Sequence, residues 1–225
     1  ALLFDGAWHR SLRAWGKAKN ASALSSKKNQ QEQIGFREGL PGFLSGLDPR
    51  RPVRLFCQDE CRIGLMPIKR HRITLPGVKP IQTAKPGYEY FYLYGAVEPE
   101  TGQRFFTEHE RLNSDCFQDF LDRFAEAFPR SHNVMILDNG QFHKAKKLSV
   151  PSNVGLKFLP PYSPELNPVE RLWQDLKDAL GFDFYEHLAD LRQEARTALS
   201  RYTDEAVASL TGYDYLLNAA SELSS

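Results

Sequence analysis

An α/β fold, a mixed sheet flanked by helices, is what this 225-residue chain leads one to expect. Two strand-like runs joined by a tight turn stand near its middle. Beyond them, apolar runs of strand length alternate with stretches whose apolar residues recur at helical spacing. The composition, 41% hydrophobic and 25% charged, is that of a globular protein that can bury a full core.

Residues 1–50 are the least patterned. Trp8, Leu12 and Trp15 fall on one side of a short helix, Ala21 to Gln33 is polar, and a helical stretch around Ile34, Phe36, Leu40 and Phe43 stops at Gly46 and Pro49. The expected role is a linker or an appendage to the main domain, or the remnant of a larger N-terminal region. Val53 to Gln58 reads as a buried strand ending at Asp59-Glu60, and Ile63–Leu65 and Arg72–Leu75 as short strands around a basic turn. Tyr90–Val97 is the next strand, Pro99–Gly102 its turn, and Gln103–Thr107 its hairpin partner. Phe117, Phe120, Leu121, Phe124 and Phe128 predict a helix capped by Asn113 or Ser114.

Val134–Leu137 predicts a strand that ends, again, at an acid, Asp138. A short helical piece over His143–Leu148 and a strand over Val154–Leu159 follow. A Pro-rich loop, Pro160-Pro161-Tyr162-Ser163-Pro164, then enters a helix from about Glu165 to Leu180 that groups Leu166, Val169, Trp173, Leu176 and Leu180. Glu170 falls at the edge of that apolar face. Two further helices are expected over Tyr185–Leu199 and Asp204–Leu210. An antiparallel first half and crossover helices in the second are what a ribonuclease-H-like fold shows.

Charge is distributed unevenly. Residues 1–90 carry sixteen Lys and Arg against seven Asp and Glu, although the whole chain is only +1. Such clustering suits a polyanion on one face, and also suits an ordinary solvated surface. Three cysteines, an odd count, fit a reducing compartment, and no apolar run reaches the length of a membrane span. The expected location is therefore cytoplasmic. Cys57 and Cys61 lack the matching Cys or His pair that a zinc site needs.

Asp59, Asp138 and Glu170 stand out by position. Acids at the carboxyl ends of strands in an open α/β sheet lie where ligands bind. Three of them together repel one another unless a cation joins them, and Mg²⁺, a hard cation of carboxylates, waters and phosphates, suits the set. Two such ions can clamp the attacking and leaving oxygens of a phosphodiester. Spacing alone leaves open that these acids merely form turns.

The neighbouring residues narrow the choice. "LDNGQFHKAKKL", "LPPYSPELNPVERLWQDLK" and "FCQDECRIGL" resemble the catalytic blocks of bacterial insertion-sequence transposases of the Tc/mariner superfamily, which are aspartate–aspartate–glutamate (DDE) recombinases. The resemblance covers roughly residues 50–181. It implies that Asp59, Asp138 and Glu170 hold Mg²⁺ or Mn²⁺ as two ions, within a ribonuclease-H-like DDE domain over residues 51–181 and ahead of a C-terminal helical extension, 182–225. It also implies double-stranded DNA, both transposon ends and target, as substrate, cleavage and 3′-hydroxyl strand transfer as activity, and a homodimer on DNA as the working assembly. The gap between Asp138 and Glu170 is a few residues shorter than is usual in the superfamily.

Around the triad, Asn139 and His143 are candidates to touch the scissile phosphate or orient a water. Tyr162, Ser163 and Asn167 are candidates to shape the loop that aims Glu170, which Pro161, Pro164 and Pro168 stiffen. Glu60, next to Asp59, points to the other face if the strand continues. Lys69, Arg70, Arg72, Lys79 and Lys85 are candidate phosphate contacts. Two competing readings remain: a catalytically silent, domesticated DNA-binding descendant of a transposase, and a two-carboxylate glycosidase, which the basic first half suits poorly.

Overall fold

A computed structural model describes residues 29–47, 51–65, 89–181 and 185–221. Among the described residues five strands form one sheet: β1 (Val53–Gly64), β2 (Tyr90–Val97), β3 (Arg104–His109), β4 (His132–Leu137) and β5 (Val154–Phe158), in the spatial order β3-β2-β1-β4-β5. β1 to β3 run antiparallel, whereas β4 and β5 lie parallel to β1. The expected mixed sheet flanked by helices is therefore what the chain forms.

Alternation along the strands sorts side chains into two cores. On one face Leu55, Cys57, Cys61, Ile63, Leu93, Val134 and Ile136 pack under helix α3 (Val169–Leu180) through Val169, Leu172, Trp173 and Leu176. On the other, Phe56, Tyr94, Ala96, Met135 and Leu137 meet Phe117, Phe120, Leu121 and Phe124 of α2 (Ser114–Ala127). Asn113 caps α2 as expected, its side-chain oxygen accepting from the N–H groups of Asp115 and Cys116. The phenylalanines of α2 are core residues: Phe56 meets Phe124 edge-on, with ring centroids 5.0 Å apart.

Three differences from the sequence reading matter for the site. First, β1 does not end at Asp59. It continues to Gly64, because β2 pairs with it along Cys57–Gly64, whereas its parallel partner β4 leaves the ladder after Ile136. Second, the helix expected around Ile34, Phe36, Leu40 and Phe43 starts earlier and spans residues 29–45, α1, and its Leu40 and Leu44 are buried in the α3-side core. Third, the helix expected from about Glu165 is two pieces, a 3-10 turn over Pro164–Leu166 and then α3, with Pro168 at its N-cap. The piece expected over His143–Leu148 is a 3-10 turn at Gln141–Lys144. The strand expected over Arg72–Leu75 lies outside the described residues.

Helices α4 (Leu188–Arg201), α5 (Asp204–Thr211) and α6 (Asp214–Ser221) complete the α3 side. The sequence reading did not foresee α6. Charged pairs tie this layer to the edge strand β3: Arg196 grips Glu108 through its Nε and one Nη, at 2.5 and 2.9 Å, and Arg104 reaches Asp204 at 2.6 Å. Among the described residues, no helix is long and apolar enough to cross a membrane.

Candidate active site

The site follows from register. Cys57 of β1 faces Ile136 of β4 across the parallel ladder, so Asp59 and Asp138 each stand two residues beyond a matched pair, at the edge where β4 stops. Asp59 lies in mid-strand opposite Gly95 of β2 and shares the face of Cys57 and Cys61, the face that α3 covers. Glu170 projects from the first turn of that helix and is exposed. Three acids from a strand, a strand end and a helix start thus approach one region at the carboxyl edge of the parallel strands.

Their mutual influence is read in Asp59. Burial pushes its carboxyl well above the ordinary range, and the neighbouring charges of Glu60, Glu170 and Asp138 push it further. Asp138 behaves oppositely. The contact with His143, the Gly140 N–H at 2.8 Å and the charge of Lys144 hold it below its ordinary value, against a partial burial.

His143 is only 2% exposed, on the α2 side, where its ring lies 4.4 Å from that of Phe117. Its Nε2 is 3.0 Å from Glu60 Oε1. Its Nδ1 is 2.9 Å from Asp138 Oδ1, though off the hydrogen-bonding direction. Burial pulls the imidazole pKa down, but the two carboxylates outweigh it and the value rises to about 9, so the ring is a cation at neutral pH. Glu60, on the face opposite Asp59, also accepts from Gln58 Nε2 at 2.7 Å. At neutral pH Asp138 therefore has a positive neighbour, whereas Asp59 has three negative ones.

Glu170 is positioned by the loop before it, and four elements hold that loop. Buried Asn167 donates to the Gln58 carbonyl of β1 at 2.8 Å, one residue from Asp59, and accepts from the Val169 N–H at the head of α3. The Tyr215 hydroxyl of α6 donates to the Leu166 carbonyl at 2.6 Å. Asn29 and Gln33 of α1 reach Ser163: its Oγ, also buried, lies 3.1 Å from Asn29 Oδ1 and from Gln33 Nε2. Gln33 further bonds Glu165 at 2.6 Å. Asn139 donates to the Leu159 carbonyl, which joins the loop after Asp138 to the start of the Pro-rich loop, and it accepts from Lys144.

Whether this site suits a divalent cation turns on its donors. Among the described residues no three His, Cys, Asp or Glu side chains stand as a ready-made metal cluster. The donor chemistry nevertheless fits: the interacting groups are carboxylates, the choice of a hard cation, and Asp59 carries an excess of negative neighbours that such an ion relieves. Cys57 and Cys61 do not compete. Burial raises both thiols, Cys61 to about 11, so neither is a thiolate.

Residues 54–192, more than half of the chain, match the DDE superfamily endonuclease family. The chain belongs to that family. The chain is 32% identical over 132 residues to the insertion element IS630 uncharacterized 39 kDa protein of Shigella sonnei, an alignment covering 56% of this chain and 38% of that one. It is 40% identical over 88 residues to the uncharacterized protein y4pE/y4sA of Sinorhizobium fredii, covering 39% and 65%. Among solved structures, the Mos1 strand transfer complex superposes with a TM-score of 0.61 at 16% identity, over 88% of this chain and 61% of that one. The Mos1 paired-end complex with Mn superposes at 0.60.

The chain thus spans less than two thirds of these relatives. Its fold is ribonuclease-H-like, and the resemblance read from the three motifs, to insertion-sequence transposases of the Tc/mariner superfamily, is borne out.

The candidate residues divide clearly. Asp59, Asp138, Glu170, Asn139, His143, Ser163 and Asn167 all belong to one connected region, and Tyr162 stands on its rim. Lys69, Arg70, Arg72, Lys79 and Lys85 lie outside the described residues. The sequence reading missed Asn29 and Gln33, because nothing local marks a polar helix face whose partners stand about 130 positions away. It also missed the partnership of Glu60 with His143, for which the alternation of Asp59 and Glu60 across the strand was the available signal.

Proposed function

We propose that the chain is the catalytic domain of an insertion-sequence transposase, which cuts DNA at transposon ends and joins the freed 3′-hydroxyl to target DNA. What supports the reading is Asp59: sheet register sets it at the strand edge where Asp138 also stands, and its carboxyl is raised first by burial and then by the charges of Glu60, Glu170 and Asp138. Asp59, Asp138 and Glu170 would hold Mg²⁺ or Mn²⁺, two ions in our reading. Bound there, the metal would polarise the scissile phosphate and lower the pKa of the attacking water or 3′-hydroxyl.

The chain's own part is positioning. Asn167 fixes the head of α3 to β1, so Glu170 keeps its place relative to Asp59. His143 holds Asp138 ionised and orients it from the α2 side. The basic residues, Lys69, Arg70, Arg72, Lys79 and Lys85 among them, neutralise DNA phosphates, each steepening the log–log salt dependence of binding by about 0.9. Synapsis of two ends calls for a homodimer on DNA, working at the nucleoid.

The test is Glu170→Gln, assayed for nicking of supercoiled plasmid in Mn²⁺ and for DNA affinity. Cleavage should vanish with affinity nearly intact, whereas unchanged cleavage would remove Glu170 from the site. A wild type that binds DNA in Mn²⁺ and never cuts it would favour the silent, domesticated binder.

A further inference from the structure

Glu60 is a carboxylate set among hydrocarbon. Its side chain is 8% exposed, on the face of β1 that packs against α2, and it stands opposite Tyr94 of β2. An apolar residue of similar volume would fill that place without the free-energy cost of burying a charge. Its Oε1 nonetheless collects two partners. Fully buried Gln58 donates its Nε2–H at 2.7 Å, and His143 Nε2 lies 3.0 Å away. A carboxylate only accepts, so the Nε2 of His143 carries a proton and the ring is oriented from this side.

The other side of the ring meets Asp138. His143 Nδ1 and the Gly140 N–H reach the same oxygen, Oδ1, at 2.9 and 2.8 Å. Among the described residues Asp138 is thus held by one oxygen, and Oδ2 is the one left for a cation. The fit is close: a Cβ on Gly140 would stand 3.0 Å from both Oδ1 and Nδ1. Because the Nδ1 contact lies off the hydrogen-bonding direction, it does not fix the ring by itself. Phe117 and Phe142 hem the imidazole in, with centroids 4.4 and 4.0 Å away, but offer it no acceptor. The bond to Glu60 is what sets the ring toward Asp138.

Gln58 carries the same brace to the third acid, since its backbone carbonyl takes the Asn167 Nδ2–H beside the head of α3. The residues on either side of Asp59 therefore anchor the segments that present Asp138 and Glu170. We propose that Glu60 is a positioning residue for the cation site: it fixes the His143 ring, and the ring sets the Asp138 carboxylate. The inference rests on the reading of Asp59, Asp138 and Glu170 as that site, and adds to it a residue from the opposite face of the sheet.

The experiment uses two ions. Mg²⁺ demands near-ideal octahedral oxygen geometry, whereas Ca²⁺ accepts irregular sets. Calorimetric titration of each into wild type, Glu60→Leu, His143→Phe and the double variant separates a misplaced Asp138 from a damaged fold. Each single variant should bind Mg²⁺ about 10- to 100-fold more weakly, while its Ca²⁺ affinity changes far less. The double variant should lose no more than His143→Phe alone, because Glu60 acts through that ring. It replaces both buried polar partners by apolar side chains, which spares the fold better than removing one, so it still reports if a single variant does not fold. Unchanged Mg²⁺ affinity in Glu60→Leu or in the double variant, losses that multiply, or an equal loss of Mg²⁺ and Ca²⁺ overturns the proposal. With a wild type that binds Mg²⁺, those results refute the role of Glu60 alone. A wild type that binds neither ion removes the cation site and the positioning role with it.

Discussion

Replacing Gly95 with alanine should injure both the fold and the site. Gly95 is buried on β2 opposite Asp59, and the indole of Trp173 lies directly on it. A Cβ there would stand 2.6 and 2.7 Å from two indole carbons and 2.8 Å from a ring carbon of Phe106. Ordinary carbon contacts are about 3.5–4.0 Å, so the shortfall is roughly 1 Å. Strand β2 cannot retreat, being paired with β1 on one side and β3 on the other. The indole must move instead, and with it α3.

Overpacking of this kind costs about 1–3 kcal/mol. At roughly 2–4 °C per kcal/mol for a chain of this size, the melting temperature should fall by about 2–12 °C. Trp173 sits three residues after Glu170, so relieving the clash also displaces the carboxylate, and a shift of about 1 Å is worth on the order of a hundredfold in rate. Thermal melts by circular dichroism and plasmid nicking in Mn²⁺ check the two effects. Adding Trp173→Phe, which shortens the ring, should recover part of both. Gly95→Ala melting within 1 °C of wild type (about the resolution of such a comparison) and cutting at the wild-type rate would refute the packing argument.

Gly102→Ala should cost more than the usual penalty for a left-handed glycine. At φ 75° its added Cβ would meet the Asp204 carbonyl oxygen of α5 at 1.8 Å, so urea unfolding should show a loss of at least about 2 kcal/mol. Asn167→Ala leaves the Gln58 carbonyl without its buried donor, which should lower stability by about 1–3 kcal/mol and slow cleavage while DNA affinity holds. His109 packs edge-on against Tyr94 and is held below 6.5 by burial, with Arg123 adding to this against the pull of Asp119 at 3.8 Å. Because the unfolded chain takes up this proton more readily, the stability from neutral His109 is complete above pH 6.5 and is lost as the pH falls through the lower folded value. Denaturant titrations of wild type and His109→Gln at several pH values should therefore converge toward acid, and parallel curves would contradict the assignment.

The extent to which the site was legible varied with the range of its interactions. Asp138 and Glu170 were visible because each adjoins a local signal, an apolar strand and a proline-stiffened loop. Asp59 was found for a reason that needs amendment: it does not end a strand but lies where one partner strand stops and the other continues, and a single sequence does not show which strand pairs on each side. The helical stretch around Ile34, Phe36, Leu40 and Phe43 was legible, but Ala21 to Gln33 read only as polar, so the use made of Asn29 and Gln33 was not. Their partners, Tyr162, Ser163 and Glu165, are distant in sequence and are brought near only when Leu40 and Leu44 enter the core. Helix α6 was not read from the sequence; it is a short helix that tertiary contacts such as Tyr215 to Leu166 stabilise.

The central claim is that Asp59, Asp138 and Glu170 form one divalent-cation site. Calorimetric titration of Mn²⁺ into the wild-type chain and into Asp59→Asn and Asp138→Ala tests it most directly. Saturable binding by wild type, weakened at least about tenfold or abolished in each variant while both still melt cooperatively, is the predicted result. Equal Mn²⁺ binding by all three proteins, or none by any of them, would contradict it.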